Sequence, residues 1–285
     1  AQQRAFHLAV AGRQRQRWPR PRPAPLEHDV AQVRPARDAV GLNFYSPEGH
    51  GRVDHVASSR CPVELPRPLQ PGTWGPWLAS SARIEMQGDR SETGLARVFV
   101  KHGEMRFVQI PGTDNSRQPV LWAGGGSSAF DRQKHDAIGG FEQLYVPCYV
   151  EDVSLSWQAW RRGWHCLYAH DSVVHHAHRG TSSKVFGREA LERLNWRNRE
   201  LFFLRSVTDP ALVLTHAIML AWNTRKHAAH LGIPIAHGVL ALLATIPRVP
   251  HAIWLRESSR RLYRRSDRAV LAQVRVTPAS QPTTD

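Results

Sequence analysis

The amino-acid sequence predicts an α/β fold with a helical, amphipathic C-terminal extension and a poorly ordered N-terminal segment. Of the 20 prolines in the 285 residues, 11 lie among the first 80. Further along, tryptophans at 157, 160 and 164 have the spacing of one helix face, and short strand-like apolar runs follow them. Since 41% of the residues are hydrophobic, the chain has enough apolar side chains for a substantial core.

The N-terminal segment, residues 1–81, is rich in proline and arginine, as in the run Arg17-Trp18-Pro19-Arg20-Pro21. Proline fixes φ and has no backbone N–H, so this composition is incompatible with long helices and central strands. We therefore expect extended or poorly ordered chain in this segment.

The central region, residues 82–210, shows mixed secondary-structure signals. We expect a helix within 91–100, a strand over 105–110 and a helix over 129–138 that stops at Gly139-Gly140. The strongest helix signal begins at Val153, with Asp152 as its N-cap and Gly163 at its end. The helix tryptophans are interpreted as core residues.

After this helix, two strand-like runs, 166–169 and 172–175, are separated by His170-Asp171. A helix is predicted over 191–205. Beyond it, the apolar stretches 211–222 and 235–246 are each shorter than the roughly 20 residues that cross a bilayer core. Together with seven arginines between 256 and 275, they predict a helical membrane-interface extension over 211–275 and a disordered tail over 276–285.

Charge and cysteine usage narrow the classes of partner and compartment. A net charge of +14 favours anionic partners, such as nucleotides, anionic lipid or nucleic acid. The three cysteines, Cys61, Cys148 and Cys166, form no C-x-x-C pair, which favours a reducing, cytoplasmic compartment without a disulfide framework. The chain does not begin with methionine and shows no secretory signal, so we expect a fragment.

Four short motifs follow one another in the central region. They are Gly139-Gly140-Phe141-Glu142, Glu151-Asp152-Val153-Ser154-Leu155, Arg161-Arg162-Gly163 and His175-His176. In this order they resemble the G-G-F-D/E, E-D-V-D-L, R-x-G and V-x-H-H pattern of bacterial family 2 glycosyltransferases. The resemblance extends over about 82–270 and includes Arg197-Asn198-Arg199 and Thr208-Asp209-Pro210. It implies the acceptor-side half of an A-type glycosyltransferase domain, a nucleotide-diphospho-sugar transferase-like fold.

The resemblance also implies an activity: inverting transfer of a sugar from a nucleotide-sugar to a cell-envelope glycan or lipid-linked acceptor. Asp152 is the expected catalytic base, and Glu151 would orient it or contact the acceptor. A positioned carboxylate that accepts the hydroxyl proton contributes typically a hundredfold or more to the rate. Without the surrounding motifs, the same two acids would be interpreted as a helix cap and a solvated carboxylate.

Further residues are assigned to substrate and metal binding. In the family, the region of Gly124, Gly125, Gly126 and Ser127 borders the donor sugar and acceptor, and we add Trp122 and Arg179 to this substrate-binding set. The resemblance implies that His176 or His178 reaches a Mn²⁺ or Mg²⁺ ion on the donor diphosphate, provided that the donor site is intact. The alternative is a histidine-rich polar loop without a metal.

The chain also departs from the family. It contains no D-x-D motif, and residues 1–81 lack the apolar parallel strands of a nucleotide-binding half. A truncated and inactive copy is therefore the favoured explanation, and a divergent protein with another donor site is the alternative. Two non-catalytic alternatives stay open. One is a pseudo-enzyme. The other is a basic module that binds anionic lipid or, as the weaker candidate, nucleic acid. The expected location is cytoplasmic and peripheral, at the inner face of the plasma membrane.

Overall fold

The computed structural model describes residues 39–41, 75–85, 93–110, 117–175 and 186–276. All of these ranges fall within one compact unit, Ala36–Asp285. The predicted poorly ordered segment, residues 1–81, and the predicted tail, residues 276–285, lie mostly outside the described residues. The strand that begins at Trp77 nevertheless crosses the predicted boundary at residue 81.

The described residues form a mixed α/β fold. The strands are β1 (Ala39–Gly41), β2 (Trp77–Glu85), β3 (Ala96–Lys101), β4 (Glu104–Gln109), β5 (Gln118–Val120), β6 (Ser128–Asp131) and β7 (His165–His175). The helices are α1 (Arg132–Ile138), α2 (Glu151–Arg162), α3 (Arg188–Ser206), α4 (Pro210–Leu231), α5 (Ile235–Thr245), α6 (Val249–Arg260) and α7 (Asp267–Val274).

Five of these strands form one sheet in the order β1-β6-β2-β7-β5, and β3 pairs with β4 in a separate hairpin. In the larger sheet, the two long central strands β2 and β7 are parallel, whereas the other neighbours are antiparallel. Helix α2 leads directly into β7, one of these two central strands.

Helix α2 lies between two apolar clusters and is buried along most of its length. One cluster joins α2 to α3 and the C-terminal helices, with Trp157 and Trp160 fully buried. The other joins α2 to the sheet through Leu155 and Phe130, and Trp164 packs against it. The interpretation of these tryptophans as core residues is confirmed.

The helix predicted within 91–100 is wrong, because residues 96–101 form strand β3. His102 and Gly103, both at positive φ, make the two-residue turn that returns the chain into β4. Gly94 also has positive φ, and a Cβ there would lie 2.1 Å from the Ala82 carbonyl oxygen. The residues just before and just after β3 therefore have backbone conformations that an α-helix does not contain.

Two other boundaries differ from the prediction. The helix expected from residue 129 begins at Arg132, after strand β6, and Asp131 caps it by accepting a hydrogen bond from the Lys134 N–H at 3.1 Å. The two runs expected around residue 170 form one strand, β7, interrupted by a register shift opposite Ala82 and Arg83. The polar pair His170-Asp171 therefore marks an irregularity within a strand.

Candidate active site

The N-terminal end of α2 carries the two acids singled out by the sequence. Glu151 and Asp152 are the first residues of the helix, and the cap position belongs to Val150, whose side chain makes no capping hydrogen bond. The assignment of Asp152 as the N-cap is therefore wrong. Tyr149 and Val150 both have left-handed backbones, with φ of 75° and 76°. Such conformations are costly for bulky residues and persist where the surroundings enforce them.

The enforcing contacts come from Asn198 on α3. Its side-chain amide donates to the carbonyl oxygens of Tyr145 at 2.7 Å, Cys148 at 2.7 Å and Tyr149 at 2.9 Å. Asn198 is fully buried, so these bonds form in surroundings where an unpaired polar group is expensive. One side chain therefore holds the whole turn that leads into α2.

Arg197 supports the same turn. Its Nη2 donates to the Val146 carbonyl at 2.6 Å and to the side-chain oxygen of Asn198 at 2.8 Å. Burial, and then the nearby charge of Arg248, lower the pKa of Arg197 to about 10. The guanidinium therefore stays charged at neutral pH and fixes the Asn198 amide with its N–H groups toward the turn.

Asp152 lies in the first helical turn, where the helix dipole favours a negative charge. Its Oδ1 accepts a hydrogen bond from the Val153 N–H at 2.8 Å. Burial raises the pKa of the Cys166 thiol to about 12, and the charge of Asp152 is among the contributions that raise it. The charge of Asp152 therefore adds to the electrostatic environment of Cys166 on β7.

Glu151 has a different environment from its neighbour. Burial, followed by the adjacent charge of Asp152, raises the pKa of Glu151 to about 8. Its Oε2 is buried and has no hydrogen-bond partner among the described residues. Burial therefore favours the neutral, protonated form of Glu151.

The glycine run forms a turn that is tied to the same helix. The Ser127 N–H donates to the Gly124 carbonyl at 3.2 Å, and the Ser127 carbonyl accepts from the Ala82 N–H at 3.0 Å. Just before the turn, the Ala123 N–H donates to Oγ of Ser156 at 3.3 Å. Ser156 lies one helical turn after Asp152 on α2, so the structure brings the glycine turn and the acid pair close together.

The other predicted substrate and metal residues divide into two groups. Trp122 is half-buried, packs against both apolar clusters and contacts Phe107 edge to face, with 6.1 Å between ring centroids. This position is that of a core residue, and its predicted contact with substrate stays a prediction. His176, His178 and Arg179 lie outside the described residues.

The described residues do not fit a divalent cation by themselves. Among them, no three His, Cys, Asp or Glu side chains converge on a common point, and the acid pair offers only two carboxyl groups. We therefore assign no chemical step to a metal. The predicted Mn²⁺ or Mg²⁺ stays linked to His176 and His178.

The acid of the Gly-Gly-Phe-Glu motif is structural. Nε and Nη2 of Arg205 lie 2.8 Å and 2.7 Å from Oε1 of Glu142, and Oγ of Ser154 donates to Oε2 at 3.3 Å. Arg205 also donates to Ser259 on α6 and to Tyr263. The motif therefore connects the loop before α2 to the C-terminal helices.

The arginine of the Arg-x-Gly motif has a similar role. Arg161 forms a buried ion pair with Asp267, at the start of α7, and donates to Oγ1 of Thr208 at 2.9 Å. The same Asp267 carboxylate accepts the backbone N–H groups of Thr208 and Asp209, each at 2.7 Å. The Thr208-Asp209-Pro210 run and α7 are thus fixed to the last turn of α2.

Comparisons with known proteins are limited to backbone similarity. No protein-family model matches the chain, and no curated protein matches it. Among solved structures, the chain is similar to a crystal structure of GalNAc-T7 with UDP, GalNAc and Mn²⁺, with a TM-score of 0.44 and 15% sequence identity. The match covers 72% of this chain and 36% of that chain, so it spans little more than a third of that protein. A likeness this distant names neither a substrate nor a catalytic residue here.

Proposed function

We propose that residues 82–210 form the acceptor side of an inverting sugar transferase in which Asp152 is the general base. The observation that carries the proposal is the position of Glu151 and Asp152 in the first turn of α2, a helix that is hydrogen-bonded to the segment just before the glycine turn. The ordered motifs that resemble family 2 glycosyltransferases give the same residues the same role.

In the proposed reaction, Asp152 accepts the proton of an acceptor hydroxyl as that oxygen forms a bond to the anomeric carbon of the donor sugar. The bond from this carbon to the diphosphate oxygen breaks, and the nucleoside diphosphate leaves with the electron pair. Attack from the face opposite the leaving group inverts the anomeric configuration. A positioned base supplies typically 10²- to 10⁴-fold of rate.

The raised pKa of Glu151 argues against this residue as the base. A general base must be ionised at the working pH, and burial keeps the pKa of Glu151 at about 8, so this group is largely neutral at pH 7. A neutral carboxylic acid can donate a hydrogen bond, for example to the acceptor or to the Asp152 carboxylate. We therefore assign proton acceptance to Asp152 and orientation to Glu151.

The proposed donor is a nucleotide-sugar that binds with a divalent cation. The proposed acceptor is a glycan or a lipid-linked molecule. Donor binding is assigned to residues outside the described ranges, including His176, His178 and Arg179. The glycine turn at Gly124–Ser127 is proposed to line the acceptor cleft, because it lies beside α2 and its Gly126 is exposed.

The test is a transfer assay on the whole chain. Purified protein is incubated with UDP-, GDP- or dTDP-sugars, Mn²⁺ and a bacterial envelope lipid extract, and release of nucleoside diphosphate is measured. We expect Asp152→Asn to lower the rate by about a hundredfold or more. The matched control is Asp136→Asn, which changes an exposed acid on α1.

Two results would overturn the proposal. Equal turnover by wild type and Asp152→Asn excludes this carboxylate as the base. If calorimetry shows that the wild-type chain binds none of the three donors, and no donor is consumed, the chain alone is a pseudo-enzyme or a binding module.

A further inference from the structure

Exposed large apolar side chains are concentrated on the C-terminal helices. Among the described residues, all of them except Val100 and Val173 lie between positions 213 and 262. The most exposed are Leu214 at 62%, Ile218 at 69% and Trp254 at 64%. Contiguous apolar surface of this kind marks an interaction site more often than an ordinary protein exterior.

These side chains form stripes along neighbouring helices. On α4, Leu214, Ile218 and Trp222 are four residues apart and share one face. On α5, the exposed residues Ile235, Val239 and Leu243 repeat the same spacing. Since α4 and α5 pack against each other, the two stripes belong to adjacent elements.

The opposite side of α5 and α6 is fixed to the rest of the protein through small residues. Gly238 lies so close to α3 and α4 that an added Cβ would be 2.4 Å from the Trp196 ring and 2.8 Å from Thr224. Ala241 and Ala252 are fully buried. The apolar stripe is therefore the outer face of helices whose inner face is already packed.

The charge around the stripes has one dominant sign. Between residues 210 and 262 the sequence has six lysines and arginines and a single acid, Glu257. The Lys226 ammonium lies over the ring of the exposed Trp222, 5.2 Å from its centroid. Exposed tryptophans beside basic side chains are typical of the boundary between lipid headgroups and acyl chains.

The combined length of α5 and α6 bears on whether these helices span a bilayer or lie on its surface. Helices α5 and α6 are joined by a 3₁₀ turn at Ile246–Arg248, and the helical run Ile235–Arg260, 26 residues, is by length and composition long and apolar enough to cross a membrane. The prediction that the second apolar stretch is too short is therefore wrong by length. However, insertion of this segment across a membrane would break the contact between Gly238 and Trp196. It would also break the hydrogen bond from the buried Arg205 guanidinium to Ser259.

We infer that α4, α5 and α6 form a membrane-docking face that lies in the surface of an anionic bilayer. Apolar side chains of the stripes enter the acyl boundary, and Arg225, Lys226, Arg260 and Arg261, all exposed, contact anionic headgroups. This inference goes beyond sugar transfer and does not depend on it, since the face contains neither acid of the candidate active site.

The test is flotation of the full chain with vesicles. We expect binding to vesicles of equal parts phosphatidylcholine and phosphatidylglycerol, weaker binding to phosphatidylcholine alone, and loss of affinity as salt is raised. The double change Ile218→Glu with Leu243→Glu, one residue from each stripe, should weaken binding by at least about tenfold, because two large apolar side chains no longer enter the bilayer. Val173→Glu, at an exposed apolar site on β7, is the control and should bind as wild type does.

Several outcomes would overturn the inference. Wild-type protein that does not float with anionic vesicles has no such face, and unchanged binding by the double variant places the contact elsewhere. Retention in vesicles after an alkaline carbonate wash indicates a spanning helix. If sedimentation without lipid shows a dimer that the double change dissociates, the face binds a second copy of the chain. Circular dichroism of each variant shows whether the fold is kept.

Discussion

Arg205 and Glu142 form an ion pair in the protein interior, with 2.7 Å between Nη2 and Oε1 and side-chain exposures of only 2% and 12%. The pair joins the last turn of α3 to the loop that precedes the candidate base. Glu142→Gln would leave the guanidinium buried without a counter-charge. We expect this change to lower the free energy of unfolding by about 3–5 kcal/mol.

Urea denaturation followed by circular dichroism measures this loss. The matched control is Glu257→Gln, since Glu257 pairs with Arg256 and Arg260 at the surface and such pairs contribute at most about 1 kcal/mol. Equal losses for the two variants would contradict a structural role for Glu142.

Glu151 should make stability depend on pH. Because burial raises the folded-state pKa of this carboxyl to about 8, the folded protein holds its proton between the ordinary value, 4.5, and 8, whereas the unfolded chain releases it. The contribution of Glu151 to the stability of the wild type therefore falls as pH rises through this window. Glu151→Gln removes the titration and should be increasingly stabilising, relative to wild type, from pH 4.5 to pH 8.

Melting temperatures at pH 4.5, 6 and 8.5 test this sign. We expect little difference at pH 4.5 and a rise of about 2 °C or more at pH 8.5, since about 1 kcal/mol shifts the melting temperature by 2–4 °C in a protein of this size. Glu257→Gln, at an exposed carboxylate, should show no such trend. A variant that is less stable than wild type at pH 8.5 would show that the proton on Glu151 is not the cause.

Asn198 should control the exposure of the turn that leads into α2. Asn198→Ala removes three hydrogen bonds to the backbone of residues 145–149, so the turn should open more often. Burial raises the pKa of the Cys148 thiol to about 11, and opening would relieve this burial. We expect Cys148 to react with a thiol reagent about tenfold faster in the variant.

The labelling is measured in a Cys61→Ser background, and the fully buried Cys166 serves as an internal reference. Asn223→Ala is the matched control, because Asn223 also donates to a backbone carbonyl, that of His102, in a different turn, between β3 and β4. If both variants react alike, Asn198 stabilises the fold without a specific hold on the turn.

Local signals allowed part of the fold to be predicted from sequence. Helix α2 follows from the tryptophan spacing and from Gly163, because both the apolar face and the left-handed C-cap are encoded within a few residues. Strand β3 could not be predicted in this way. Its conformation depends on pairing with β4 and on a bridge between Val98 and Arg275, which is distant in sequence.

The same limit applies to the candidate site. The acid pair could be found from its motif, but the pKa of Glu151 depends on burial that only the folded chain provides. Asn198 was noted within a motif, yet its contact with Tyr149 joins residues 49 positions apart. Asp152 was misplaced by two positions relative to the cap, because the sequence does not reveal that Val150 adopts a left-handed backbone.

The ion pair between Arg161 and Asp267 sets an order of events during synthesis. The two residues are 106 positions apart, so at about 5–20 residues per second the guanidinium is made about 5–20 s before its carboxylate partner. Helices α4, α5 and α6 lie between these two residues in the chain, so all three are synthesised during that interval. The carboxylate that fixes α7 to the last turn of α2 is therefore made only after every other described helix has been synthesised.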